Sequence, residues 1–319
     1  MSPEIANTIR KHSKICIIGA GSVGATIAFS LATRKMVSEL VIIDVNTAKA
    51  EGEAMDISHG LVSMAEMNIY CGTYEDIADS DVIVVAAGLG RKPGETRLDL
   101  ATKNVSIAKD VAANIMKHYN GGVILVVANP VDVLTYVIQK ETGLPTGRVF
   151  GTGAVLDSAR FRYLLGEKIG VDVKNIHGFI AGEHGDSQFA VWSTTQVGGM
   201  NLDSYCKKYG VMLDKAEIEK QVITSGSQVI KLKGATFYAI ASLTAELCGV
   251  ILKDTHSIYS VSTLMQDYYG IKDVCISVPT VVGIQGAVRP IEIDFTDEEM
   301  TKLQNSAKTL REFLDHLSI

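Results

Sequence analysis

The sequence predicts an α/β fold, a doubly wound parallel sheet followed by a second domain of α+β character, and three observations carry that expectation. Short apolar runs alternate with helix-like stretches from Lys14 to about Phe150. Those runs are continuously apolar rather than alternating, as strands covered on both faces must be. A glycine-rich turn joins the first run to the first helical stretch, and an acid ends the second run.

The elements follow in order. Lys14–Ile18 has a buried-strand pattern and Val23–Thr33 a helical one, then Leu40–Ile43 a strand and Lys49–Leu61 a helix. Ile69–Cys71 and Asp81–Ala86 are expected strands, Leu98–His118 is long enough only for helix, and Val123–Val127 is again a strand. Beyond Phe150 the pattern is less regular: strands are expected around Ile176–Val197, at Val274–Val281 and at Ile291–Asp294, with a long helical stretch around Leu213–Cys248. Thr296-Asp297-Glu298-Glu299 forms a capping box, and Met300, Leu303, Ala307, Leu310, Phe313, Leu314 and Leu317 share one face, so the chain ends in a docked amphipathic helix. The expected division is 1–150 for dinucleotide binding and 151–319 for catalysis and substrate binding.

Composition excludes more than it names. The 319 residues are 47% hydrophobic and carry a net charge of −6, which argues against disorder. No Lys/Arg run offers a nucleic-acid or anionic-membrane surface. The densest apolar runs, Val82–Ala87 and Val123–Ala128, are strand-length and far short of a membrane span. The five cysteines lie far apart without metal-ligand spacing, and the N-terminal residues show no secretory pattern. A cytoplasmic protein with neither disulfides nor a metal is expected.

Chemistry enters at Gly19-Ala20-Gly21-Ser22-Val23-Gly24, placed between a strand and a helix, with Asp44 twenty residues past Gly24. Gly19 permits the tight turn, Gly21 lets a pyrophosphate approach the backbone, and Gly24 lets helix and strand pack closely. The free N–H groups and helix dipole at Ser22–Gly24 attract phosphates. Asp44 accepts from an adenosine ribose diol and repels a 2′-phosphate, which favours NAD over NADP as the cofactor.

Four later segments supply a substrate site. Ala87-Gly88-Leu89-Gly90-Arg91-Lys92-Pro93-Gly94-Glu95-Thr96-Arg97 follows a strand's carboxyl end, where ligands bind in open α/β sheets, and its glycines and arginines suit a mobile charged lid. Asn129-Pro130 sits at the next such end, as a tight turn able to hold a cis bond. Gly151-Thr152-Gly153 leads into a helix on which Asp157 and Arg160 share a face. Of seven histidines, His184 stands out between glycines in Gly182-Glu183-His184-Gly185-Asp186, after an apolar run.

In their order and over nearly the whole chain, these motifs resemble those of L-lactate and malate dehydrogenases. The resemblance implies hydride transfer between the nicotinamide and C2 of a 2-hydroxy or 2-keto acid. His184 would be the general acid/base and Asp157 its orienting partner, while Arg160 would bind the substrate carboxylate and Arg97 would polarise the carbonyl. Asn129 would hold the substrate oxygen, Thr152 and the Ala87–Gly88 segment would contact the cofactor, and Thr236 and Ile240 would line the pocket. Arg91 replaces the glutamine usual in lactate dehydrogenases and matches the malate type, where it would pair with a second carboxylate. Burying it against pyruvate would cost roughly 3–5 kcal/mol in a dry site. Malate is therefore the expected substrate, with L-lactate, under activation by fructose 1,6-bisphosphate, as the alternative. Gly94-Glu95-Thr96-Arg97-Leu98-Asp99-Leu100 is nonetheless lactate-type text. Arg162 and His177 fall where bisphosphate-responsive lactate dehydrogenases place effector-binding cations. The family also implies a homo-oligomer, a tetramer ahead of a dimer.

Overall fold

The computed structural model describes residues 13–64, 66–90 and 96–319; the side chain of Arg97 lies outside the description. Six parallel strands come first: β1 (Lys14–Ile18), β2 (Glu39–Ile43), β3 (Asn68–Cys71), β4 (Val82–Val85), β5 (Val123–Val126) and β6 (Val149–Gly151). Helices α1 (Ser22–Thr33), α2 (Thr47–Gly60), α3 (Arg97–His118) and α4 (Val131–Thr142) connect them. The spatial order β3-β2-β1-β4-β5-β6 reverses between β1 and β4, the crevice where doubly wound sheets take ligands. This is a Rossmann-type sheet.

The strands are apolar throughout because successive side chains enter two separate layers. Cys16, Ile18, Val41 and Ile43 pack under α3 and α4 with Val105, Ala112, Val133 and Leu134. Ile15, Ile17, Leu40 and Ile42 pack under α1 and α2 with Ile27, Leu31, Ala50 and Ile57. The pleat period of two thus distributes one strand between two cores.

The second half begins with α5 (Val155–Ile169) and a set of short strands. β7 (Ile176–His177), β10 (Gln196–Val197) and β11 (Met200–Asn201) form one sheet; β8 (Ile180–Ala181) and β9 (Phe189–Ala190) form a hairpin. Helices α6 (Leu202–Tyr209), α7 (Lys215–Lys233) and α8 (Tyr238–Lys253) follow, the first two closing a third core around Phe161, Leu165, Ile218 and Val222. Then β12 (Ser257–Met265), β13 (Val274–Gly283) and β14 (Gly286–Pro290) extend the main sheet antiparallel from β6, so nine strands cross both halves of the chain.

Two expectations are corrected, and one strand was not expected at all. The stretch 213–248 is two helices, broken at Gly234, whose φ of +88° no other residue type adopts readily. Ile291–Asp294 is not a strand: the edge strand lies just before it and ends at Pro290, and although the Ile291 N–H still donates to the Pro279 carbonyl at 2.8 Å, Pro279 on β13 has no N–H to return. The serine-rich β12 is a central strand that the sequence pattern does not reveal. Among the described residues no helix is long and apolar enough to cross a membrane.

α9 (Asp297–His316) ends the chain with the expected capping box: Thr296 Oγ1 accepts from Glu299 N–H at 3.2 Å, and Glu299 accepts in return from Thr296 N–H at 3.0 Å. Glu299 is also bound by the Ser193 N–H and hydroxyl, at 3.0 and 2.7 Å, tying the helix start to the segment after β9. Leu303, Leu310 and Leu314 are buried against β13 and α4, each contributing about 2 kcal/mol of apolar burial. Thr296→Ala should cost about 1 kcal/mol of stability. A thermal melt should show Tm lowered by roughly 2–4 °C.

Candidate functional site

The glycine loop has the geometry its spacing demands. Gly19 has φ of +110°, and a Cβ there would lie 2.7 Å from the Ala87 nitrogen. A Cβ on Gly24 would collide with the Gly19 carbonyl, so α1 seats directly on the turn. Gly21, by contrast, faces open space, and α1 begins without a side-chain cap, leaving its first N–H groups for an anion. Asp44 ends β2 and accepts from the Ala20 N–H at 2.6 Å with one oxygen and from the Asn46 N–H at 2.8 Å with the other. Each oxygen keeps a lone pair for a ribose hydroxyl. An adenine dinucleotide without a 2′-phosphate fits this arrangement.

Ala87 and Gly88 run on from β4 beside that loop, and Asn104 of α3 braces them. Its Oδ1 accepts from the Leu89 N–H at 2.8 Å, and its amide donates to the Asn129 carbonyl at 2.7 Å. The Asn129–Pro130 peptide is cis. Arg91 lies outside the described residues, and Arg97 is placed only as the first residue of α3.

The second half closes the crevice with charge. Asp157, in the first turn of α5 and only 1% exposed, divides its carboxylate between two neighbours. One oxygen lies 2.6 Å from His184 Nδ1, and the other accepts from Arg160 Nη1 at 3.0 Å. The side chains of Arg160 and His184 are 16% and 26% exposed, both toward one cavity of about 400 Å³. Val23, Asn129, Thr152, Thr236 and Ile240 line the same cavity. With Nδ1 held as donor, Nε2 is the end left to exchange a proton, and it has no hydrogen bond among the described residues.

Electrostatics follow from the contacts. Burial alone would push the His184 pKa down, but the charge and hydrogen bond of Asp157 outweigh it, aided by Asp132, and hold it at about 9. Burial would raise the Asp157 pKa; the His184 and Arg160 cations reverse that and leave it lowered. The pair is therefore an ionised carboxylate beside an imidazole ready to donate.

The structure thus brings Val23, Asn129, Thr152, Asp157, Arg160, His184 and Thr236 together, with the Gly19–Gly24 loop and Asp44 along the crevice. It does not unite the two effector candidates. Arg162 lines a separate cavity of about 120 Å³ with Ser158, Glu246 and Tyr259, while His177 stands exposed outside it on β7. Sequence reasoning missed Asn104 and the α7 residues Ile223, Thr224 and Ser227, which roof the cavity. The small-residue run Thr224-Ser225-Gly226-Ser227 in a helix was a legible signal. A Cβ on Gly226 would come within 3.7 Å of the Arg160 guanidinium.

Fold and site together define an NAD-dependent dehydrogenase of 2-hydroxy acids. Residues 13–151 match the lactate/malate dehydrogenase NAD binding domain, and residues 154–318 match the lactate/malate dehydrogenase alpha/beta C-terminal domain. The chain belongs to the lactate/malate dehydrogenase family. It is 45% identical over 310 residues to an L-lactate dehydrogenase of Thermoanaerobacterium saccharolyticum, covering 96% of this chain and 100% of that one. It is 46% identical over 312 residues to L-lactate dehydrogenase 1 of Clostridium acetobutylicum, covering 97% and 100%. Among solved structures, L-lactate dehydrogenase from Clostridium thermocellum is similar at a TM-score of 0.86 and 51% identity, over 95% of this chain and 99% of that one. The minor L-lactate dehydrogenase from Enterococcus mundtii is similar at 0.93 and 36%, over 96% and 98%.

These relatives overturn the expectation of a malate dehydrogenase. That expectation weighed one charge, Arg91, against the rest of the chain. Its force depended on a dry environment around the guanidinium, and a charge kept in water discriminates little. The full-length similarity to L-lactate dehydrogenases outweighs it.

Proposed function

We propose that the protein is an L-lactate dehydrogenase, interconverting L-lactate and pyruvate with NAD. The observation that carries the reading is the divided carboxylate: Asp157 holds the proton carrier with one oxygen and the carboxylate binder with the other. That fixes the distance between the two functions needed at opposite ends of one small 2-keto acid. The names of the full-length relatives favour lactate as the hydroxy acid.

In this reading the Gly19–Gly24 loop and Asp44 hold the dinucleotide, with Thr152 and Ala87–Gly88 along its nicotinamide end. NADH held there would supply the hydride that the substrate C2 carbon accepts. Arg160 pairs with the pyruvate carboxylate and sets its orientation. Asn129 and Arg97 hold the carbonyl oxygen as negative charge develops on it. His184 Nε2 gives its proton to that oxygen, completing the hydroxyl, while Asp157 stabilises the imidazolium beforehand and fixes its tautomer. Oxidation runs the same transfers in reverse, with neutral His184 taking the hydroxyl proton. Assembly from identical subunits in the cytoplasm is part of the proposal; the exposed apolar side chains Met55 and Val62, in and just after α2, suit a subunit contact.

NADH oxidation measured with pyruvate and oxaloacetate in parallel tests it. The expected result is a higher kcat/KM for pyruvate. Preference for oxaloacetate would refute the lactate assignment, and inactivity with every 2-keto acid would refute the chemistry.

A further inference from the structure

We propose that Asp132, in the first turn of α4, is a positioning residue for the acid–base step: from the cofactor half of the chain it grips the backbone of His184 and sets a second negative charge beside the imidazole. The proposal rests on His184 as the proton carrier and goes beyond it.

Asp132 is almost wholly buried, and its Oδ2 accepts from the His184 N–H at 2.7 Å. Its Oδ1 makes no close hydrogen bond among the described residues; the buried hydroxyl of Ser262 on β12 is the neutral group near enough to act on it. A buried carboxylate with one oxygen unused is costly, and an asparagine would make the same backbone contact without the charge. What the charge adds is directed at the histidine. Two carboxylates then act on His184: Asp157 through Nδ1 and Asp132 from the side of its backbone.

The groups facing the pair define what a titration would read. Arg160 on α5 opposes protonation of His184, and Asp157 and Asp132 favour it. Burial pushes the Asp132 carboxyl up to about 6, against the Ser262 hydroxyl and the His184 N–H, with Glu183 adding to the rise. Cys275 on β13 has its thiol pushed up by burial and by Asp132, so it stays neutral and does not compete. From α9, Glu312 and His316 line the outer chamber against which His184 also lies. Asp132 is therefore ionised across the range in which His184 titrates.

A second tether of the same turn supplies the control. Ser306 on α9 accepts from the Glu183 N–H at 2.7 Å, one residue before the histidine, and carries no charge. If both residues merely hold the turn, Asp132→Asn, which keeps the contact, should change little, Ser306→Ala should lower turnover, and both should leave the pH profile where it was.

The test is the pH dependence of kcat/KM for 2-keto acid reduction and hydroxy acid oxidation in the full-length protein. Reduction needs the imidazolium and fails as pH rises; oxidation needs neutral imidazole and gains. Removing a negative charge lowers the imidazole pKa, so in Asp132→Asn both limbs should move to lower pH by about one unit. In Ser306→Ala they should stay. Limbs at the parent's pH in Asp132→Asn, or an equal displacement in Ser306→Ala, would overturn the proposal. Should Asp132→Asn fail to bind NADH, Asp132→Glu decides: the charge stays and the N–H contact is displaced, so turnover should fall with the limbs unmoved. Unchanged turnover, or limbs displaced downward, would overturn it there. The profiles are read with whichever 2-keto acid the parent reduces, so a wrong substrate assignment and a wrong role for Asp132 give different results.

Discussion

His184→Ala should reduce kcat for pyruvate reduction about a thousandfold, the middle of the range for losing a positioned acid–base group. NADH binding, followed by its fluorescence, should be retained, because the dinucleotide crevice is built from the glycine loop and Asp44 on other elements. The parent protein should show the reason in its pH profile. With the His184 pKa held at about 9, kcat/KM for reduction is full at neutral pH and declines as pH passes through that value. Oxidation has the opposite dependence and rises through the same region. In His184→Ala both limbs should vanish together, because the imidazole whose titration they report is gone. Near-normal turnover in that variant would end the mechanism, as would a profile with its limb near the ordinary histidine value, since Asp157 would then not be acting on the ring.

Much of this site was legible in the sequence, for a physical reason. The groups proposed to hold the cofactor and to move the proton sit on turns at the carboxyl ends of buried strands, and both features have local signatures. β1 coincides with its expected bounds, and β2, β3 and α1 begin one residue early. A parallel strand buried on both faces is an uninterrupted apolar run, and glycine marks where the backbone turns. What stayed hidden depends on contacts between distant segments. β12 carries Ser260 and Ser262 in the interior, so it resembles a loop; the Ser260 hydroxyl donates there to the Ile180 carbonyl, eighty residues away in sequence. Asn104, Asp132 and Ser306 are ordinary helix residues until the fold sets them against the Asn129 and His184 turns. Substrate preference was misjudged for a related reason. The weight of Arg91 lay in its surroundings when a substrate is bound, which no local pattern specifies.

Arg160→Lys should raise KM for pyruvate and lactate together by more than a hundredfold, corresponding to about 3 kcal/mol. The argument is geometric. Asp157 engages Nη1 of the guanidinium at 3.0 Å, and no hydrogen bond to Nε or Nη2 exists among the described residues. Those donors remain for a planar carboxylate, in a two-pronged contact that a lysine ammonium cannot make. Gly226 on α7 leaves the space, since the atoms nearest a Cβ there are the Arg160 nitrogens themselves, at 3.7 and 3.8 Å. Lysine would keep the positive charge in the cavity but present it as a point, so the loss should appear in substrate binding while kcat falls less and NADH affinity is preserved. A second consequence separates this from general damage to the site. Arg160 opposes protonation of His184 through its charge, and lysine retains that charge, so the pH limbs should remain near those of the parent even as KM rises. Arg160→Gln removes the charge and should shift both limbs to higher pH, the reverse of Asp132→Asn. An unchanged KM in Arg160→Lys would show that the substrate carboxylate is bound elsewhere, and the division of Asp157 between two functions would lose its meaning.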